Sequence, residues 1–373
     1  MVNISKAKLR IADKRTLFFD CGGHCSICRI ALYYDSFSRT SVESQEYAHI
    51  IGDSEDGPRG CKKSGFYAGD INNIIVLCPS CHTIVDKNVL YYTVERLRSQ
   101  KSNHEKQVKI LLDSLKNEKA STVKYTAPIG EILTKIDEAK MDDAIRESGF
   151  VSFDFPVDLN PNNTVLRDYT PDFWHSEWIQ LKENFNKEIV TRQKRDELFP
   201  VLLFALAPQP LLIRLGILFN DLWDVRAFQK RRDPDTWRWE DESPDQSYVI
   251  LQPDKKYNTV AVKMSLSDDI TNERIHEILG EQVSIWTITH ETPKLDYLYH
   301  PSQLEKLRIA FREFFQKVRD YHGLNTVLHV FPAAPNSAAI EFGRTWMPKV
   351  DAKLVLYDHV RHSDKFVLAY DLS

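Results

Sequence analysis

The chain has 373 residues, 42% of them apolar and 27% charged, with a formal net charge of −4. This composition excludes a disordered chain and is enough for two or three domains with their own cores. No run approaches the ~18 apolar residues of a membrane span, and the opening "MVNISKAKLRIADKR" lacks an apolar stretch of signal-peptide length, so a cytoplasmic protein with no membrane partner is expected.

Charge and cysteine are unevenly placed. Residues 1–110 carry 16 Lys and Arg against 12 Asp and Glu, and the remainder carries 33 against 41. The basic first part is the one expected near a phosphate backbone. All six cysteines lie at 21, 25, 28, 61, 78 and 81, with none in the 292 residues that follow. Cys25/Cys28 and Cys78/Cys81 are two C-x-x-C knuckles 49 residues apart. Four thiolates at this spacing predict a closed tetrahedral Zn2+ site, structural because no coordination position is left for water. Such a site contributes on the order of 10 kcal/mol to folding. Cys21 and Cys61 read as ordinary small residues, and His24 and His104 as structural histidines.

A clasp alone requires neither the histidine after its last cysteine nor the asparagine five positions before Cys78. "CGGHCSIC", "EYAHI", "NIIVLCPSCH" and "IVD", within residues 18–90, resemble the HNH, or ββα-metal, endonuclease motif. The resemblance implies that His49 is the general base, Asn73 shapes the loop, and His82 binds a catalytic Mg2+ or Mn2+ ion. At the position before the catalytic histidine many family members place a metal ligand, whereas this chain has Ala48. Glu46, two residues earlier on the same strand face, is the expected substitute, with Asp70 and Asp86 as other carboxylates. Arg29, Arg39, Arg59, Lys62, Lys63 and Lys87 are candidate phosphate contacts. No base-reading helix is evident, so double-stranded DNA cleavage with little sequence preference is expected.

Residues 93–119 read as a long helix with an incomplete apolar stripe (Val94, Leu97, Val108, Leu111, Leu115). It either carries a dimer contact or packs on its own domain. "ASTVKYTAPIG" (120–130) has linker composition, and a helix is expected at 130–147. The stretch from Phe153 to Asp172 is rich in turn residues. Then helices alternate with apolar strands: helix 175–197, strand 200–207, a helix opening at Pro210, strand-like pieces at 235–240, 247–251 and 259–266, strand 283–289, helix 301–321, strand 325–331, helix 336–344, and strands 353–358 and 365–370. This alternation predicts α/β sheets covered on both faces. "APQPLLIRLG" (207–216) and "APNSAAIEFG" (334–343) match at Ala, Pro, Ile and Gly, which suggests two copies of one unit.

The paired turns "FALAPQP" and "HVFPAAPNS", the "RLG" and "EFG" helix endings, "SIWTIT" and "AKLVLYD" resemble a SAVED domain, a fusion of two CARF-like (Rossmann-like) units. The predicted fold class is α+β multidomain: a zinc-stapled HNH domain with its trailing helix (1–120), a linker and helix (121–150), and an α/β SAVED sensor (151–373). The resemblance implies a CBASS antiphage effector: a homo-oligomer, dimeric or tetrameric on activation, switched on by a cyclic di- or trinucleotide. Helix N-termini beyond strand ends attract phosphates. Gln209, Pro210, Asn336 and Ser337 are therefore candidate ligand residues, with Arg231, Arg232, Lys349 and Lys365 as cations and Trp237, Trp239 and Tyr357 as stacking partners. The alternatives are a zinc-ribbon DNA-binding regulator with a ligand-sensing domain and an RNA-directed HNH nuclease.

Overall fold

A computed structural model describes residues 9–35, 40–114, 116–160, 166–242, 246–360 and 365–373. Arg39, Leu115 and part of the turn-rich stretch (161–165) lie outside the described residues. The chain divides into two compact units after Lys116.

The first unit contains α1 (Ile11–Asp20), β1 (Tyr34–Asp35), β2 (Thr40–Ser41), β3 (Glu46–His49), α2 (Ser64–Tyr67), β4 (Ile74–Leu77), α3 (Pro79–Lys87) and α4 (Val94–Ser114). β3 and β4 pair antiparallel, with Glu46 opposite Leu77 and His49 opposite Ile74. All four residues of β4 are buried because α1, α3 and α4 pack around it. α3 starts sharply. Cys78 is its N-cap and accepts a hydrogen bond from the Cys81 amide, and Pro79 sits where a helix has no use for an N–H. α4 ends at Ser114, short of the expected 119. Leu97 anchors it in the core of its own unit, while Leu111 and Leu112 are exposed.

The second unit contains β5 (Glu118–Thr126), α5 (Glu138–Glu147), β6 (Phe150–Ser152), β7 (Val157–Asp158), α6 (Pro171–Asn184), α7 (Thr191–Lys194), β8 (Val201–Leu206), α8 (Gln209–Phe219), β9 (Val225–Ala227), β10 (Val249–Leu251), β11 (Thr259–Ser265), α9 (Asn272–Leu279), β12 (Val283–Thr289), α10 (Pro301–His322), β13 (Val327–Ala333), α11 (Asn336–Thr345), β14 (Lys353–Val360) and β15 (Lys365–Asp371). A π-helical turn at Phe185–Val190 joins α6 to α7.

The expected linker at 120–130 is a correction. Most of it is β5, with Ala120, Val123 and Tyr125 fully buried. Its backbone pairs with β8 on one side and with β6 and β7 on the other, so long-range hydrogen bonds override a composition that reads as a connector. Residues 235–240 form no strand. A single bridge between Arg231 and Thr236 closes that turn. β9 and α9 were not expected from the sequence.

Two sheets result. One has the order β6-β5-β8-β9, all parallel. The other has the order β10-β12-β11-β13-β14-β15, with four parallel central strands and antiparallel edges. β5-β8-β9 and β11-β13-β14 are the same arrangement, each with a helix between its last two strands. α8 and α11 cross at the repeat. A Cβ added to Gly216 would lie 2.0 Å from the Ile340 carbonyl oxygen, and one added to Gly343 would lie 1.9 Å from that of Ile213. The contacts are reciprocal between equivalent repeat positions, as at a two-fold interface. The large core spans both sheets through these helices.

Candidate functional site

The four-cysteine clasp forms from two turns brought against β4. Gly22 and Gly23 take positive φ angles (60° and 69°) before the first knuckle, and Arg29 takes φ 64° after it. The Ser26 amide donates to the Val76 carbonyl at 2.9 Å, which ties this knuckle to the strand feeding the second. The sulfurs of Cys25, Cys28, Cys78 and Cys81 all lie within 4.8 Å of one another. Cys28 Sγ and Cys78 Sγ are 3.7 Å apart. A tetrahedral zinc with ~2.3 Å Zn–S bonds requires S···S edges of about 3.8 Å, so the tetrad fits that ion. Burial and the neighbouring thiols push the Cys81 thiol well above its ordinary range, and a cation offsets this crowding. Cys21 is buried outside the tetrad and donates to the Phe18 carbonyl. His104 is buried against the Cys21 carbonyl at 2.9 Å.

Because Cys78 caps α3, His82 projects from its first full turn. His82 Nδ1 is 2.7 Å from Glu46 Oε2, and Nε2 is 3.2 Å from Asp86 Oδ2. Glu46 reaches across from β3, and Asp86 lies one helical turn along α3. Both partners are acceptors, and a neutral imidazole has one N–H. One of the two contacts therefore calls for a second cation, a proton or a metal ion. A divalent ion with ~2.1 Å bonds in octahedral geometry has donors about 3 Å apart, which fits either pair. The opposite carboxylate would then orient the ring. Asp70 is not part of this group; it accepts from the Asn72 amide at the start of a 3-10 turn.

His49 is partly exposed at the end of β3. Its Nε2 lies 3.1 Å from the Ala68 carbonyl oxygen. A carbonyl only accepts, so Nε2 carries the proton, and in the neutral ring Nδ1 is the acceptor. Asn73 is 2% exposed. Its Oδ1 accepts from the Ile51 amide at 2.9 Å, and its Nδ2 donates to the carbonyls of Ile51 (2.9 Å) and Tyr67 (3.2 Å). It thereby fixes the turn just beyond His49.

Arg59 corrects an expectation. Its side chain is only 4% exposed and cannot serve as a phosphate contact. It donates to Asp86 Oδ1 at 2.7 Å and to the carbonyls of Ile50 (2.8 Å), Val85 (2.8 Å) and His49 (3.3 Å). A cleft of about 800 Å³ lies nearby, lined by Asn73 and by Arg98, Lys101, Lys106 and Lys109 of α4. These α4 cations were not among the residues expected from the sequence.

In the second unit the expected ligand residues do not converge. Gln209 Oε1 accepts from the Ala334 amide at 3.1 Å, and Asn336 Nδ2 donates to the Ala205 carbonyl at 3.1 Å. The two helix starts thus stitch the repeat units to each other. Pro210 is buried, and Ser337 is fully buried with its amide and hydroxyl donating to Gln229 Oε1. Trp237 is fully buried in a core with Phe204 and Phe228, so it has no free face for a base. Arg232, Lys349 and Lys365 are exposed, but Lys349 precedes the N-terminal end of β14, whereas Asn336 follows the C-terminal end of the parallel β13. A cleft of about 830 Å³ is instead lined by Phe150, Arg226, Phe228, Trp239, Arg308 and Glu341, among others, and by none of those eight residues.

Residues 181–372 match the family described as "SMODS-associated and fused to various effectors sensor domain". The chain belongs to this SAVED family. Solved structures with a similar fold include the Acinetobacter baumannii Cap4 SAVED/CARF-domain containing receptor with the cyclic trinucleotide 2'3'3'-cAAA. It is 12% identical and aligns over 84% of this chain and 67% of its own, with a TM-score of 0.44. The same receptor with 3'3'3'-cAAA is 13% identical over 83% and 65%, with a TM-score of 0.43. The Moraxella osloensis Cap4 receptor is 11% identical over 84% and 66%, with a TM-score of 0.39. This SAVED chain therefore spans about two thirds of each receptor's length. No curated protein matches the sequence. Among the described residues, no helix is long and apolar enough to cross a membrane.

Proposed function

We propose that the chain is a cyclic-oligonucleotide-activated, metal-dependent HNH endonuclease that degrades double-stranded DNA in bacterial antiphage defence of the CBASS type. The observation carrying the catalytic part is that one ββα unit with a four-cysteine clasp holds both the His49 ring, oriented by the Ala68 carbonyl, and the Glu46–His82–Asp86 group. SAVED membership supports the sensor part, and the cyclic trinucleotides in the Cap4 receptor structures indicate the ligand class.

In this reading His49 Nδ1 accepts the proton of the water that attacks the phosphorus, while the Ala68 carbonyl holds the ring in the required tautomer. His82, with Glu46 and Asp86, would hold magnesium or manganese. When bound, that ion polarises the scissile phosphate and stabilises the leaving 3′ oxygen. Asn73 keeps the turn after His49 rigid, and Arg98, Lys106 and Lys109 of α4 are candidate phosphate contacts. Zinc is structural throughout. The active form is an oligomer, because one such unit cuts one strand and two brought together break a duplex.

The test is plasmid cleavage with Mg2+ and a panel of cyclic di- and trinucleotides. Wild-type protein is expected to linearise and then degrade DNA with one member of the panel. His49→Ala should lower the rate at least ~100-fold, the scale of a general base, with zinc content and folding unchanged. Intact plasmid under every condition would favour a DNA-binding regulator, and cleavage confined to RNA would redirect the substrate.

A further inference from the structure

We infer that Arg59 is a positioning residue for the hydrolytic metal site, an inference that rests on the nuclease reading above. Its guanidinium uses all three nitrogens on two elements that carry chemistry. Nε and Nη2 hold the carbonyls of Ile50 and His49 at the end of β3, while Nη1 and Nη2 hold the Val85 carbonyl and Asp86 Oδ1 on α3. The strand bearing the base and the helix bearing the ion's ligands are therefore pinned by one planar fork. The pin also divides the Asp86 carboxylate. Oδ1 is spent on Arg59, so only Oδ2, 3.2 Å from His82 Nε2, faces the ligand side. Asp86 thereby offers one oxygen in a fixed direction. Arg59 itself adopts φ 57°, a left-handed backbone uncommon for a residue with a Cβ. The loop accepts that conformation to bring the guanidinium inward, to 4% side-chain exposure.

A lysine carries the same charge but a single point donor, so it cannot reproduce a fork shared between three carbonyls and a carboxylate. Arg59→Lys therefore separates geometry from charge. The readouts on the full chain are Mn2+ affinity by electron paramagnetic resonance, zinc content, circular dichroism and the pH–rate profile of cleavage. Loss of an outer partner of a metal ligand typically weakens binding about 10- to 100-fold. That weakening is expected here, with one zinc retained and the native dichroism unchanged. The acidic limb of the pH–rate profile, set by the proposed general base, should also shift, because the His49 backbone is released. Wild-type Mn2+ affinity in Arg59→Lys would overturn the inference. So would loss of zinc and fold together with Mn2+, which would make Arg59 a folding residue only. Wild-type and His82→Ala proteins are the controls. If wild type binds no Mn2+ that His82→Ala loses, the nuclease reading itself fails, whatever Arg59 does.

Discussion

Gly216→Ala tests the pseudo-symmetric architecture directly. The new Cβ would sit 2.0 Å from the Ile340 carbonyl oxygen, whereas ordinary contact begins at 3.4 Å. The obstacle is helix backbone and cannot rotate away, so α8 and α11 must separate by roughly 1.4 Å or tilt. Overpacking of this kind costs about 1–3 kcal/mol and occasionally more, and the rigid obstacle places it at the upper end. Alanine is the better helix former by about 1 kcal/mol, leaving a net loss of roughly 2 kcal/mol. For a unit of this size that lowers the Tm by about 4–8 °C. Scanning calorimetry of the full chain should show the transition of the second unit moving down while that of the first stays in place. The double variant Gly216→Ala/Gly343→Ala should cost clearly less than the sum of the singles, because one separation relieves both reciprocal contacts. A Gly216→Ala protein with an unchanged or higher Tm would refute the close crossing, since propensity alone favours alanine.

Three further outcomes are expected. Removing zinc with a strong chelator, or replacing Cys81 by serine, should unfold the first unit and leave the second transition intact, as followed by calorimetry and zinc release; an unaffected first transition would remove the clasp from the folding of that unit. His49→Ala should abolish cleavage in the plasmid assay without altering Mn2+ binding, because His49 makes no contact with Glu46, His82 or Asp86 among its hydrogen bonds. Glu177 is 1% exposed and accepts from Asn160 Nδ2 at 3.0 Å, and burial raises its pKa to about 7. Its folded pKa lies above its unfolded value, so the folded state binds the extra proton between the two. Stability contributed by the protonated form is thus present at acid pH and is lost as pH rises toward 7. Glu177→Gln should raise the Tm at pH 8 by the equivalent of at most about 3 kcal/mol and change it little near pH 4.5. Equal effects at both pH values would show that Glu177 is not charged at a cost.

The clasp was legible because its chemistry is written in spacing. Four cysteines in two tight pairs leave few ways to satisfy their thiolates, and the structure brings their sulfurs together. The alternation of strands and helices from 200 onward was legible for the same kind of reason, since runs such as "VLLFALA" suit parallel strands buried on both faces. β5 was not. The composition of residues 120–130 reads as a linker, yet Lys124 lies between Glu138 and Asp158 while the backbone of β5 pairs on both sides. Arg59 was misread for a related reason: a basic residue in a Gly- and Pro-containing loop has the composition of a solvent contact, and its inward turn depends on carbonyls from α3 and β3 that sequence alone does not place beside it.

The ligand residues show where helix-terminus reasoning loses its power. The starts of α8 and α11 have the two features that attract phosphate, a preceding parallel strand and helix-terminal amides. Yet their side chains serve a different task. Gln209 and Asn336 occupy equivalent repeat positions, and each bonds to backbone at the other unit's strand end. Gln229 occupies the amide and hydroxyl of Ser337. Reciprocity tells the two uses apart. A residue chosen for a ligand has no reason to be answered by its own repeat equivalent, whereas a residue holding two copies together does. By that criterion Gln209→Ala and Asn336→Ala are seam changes. Each should lower the stability of the second unit by about 1 kcal/mol, the worth of a hydrogen bond. Loss of cyclic-nucleotide binding without that loss of stability would show that the seam is also the pocket.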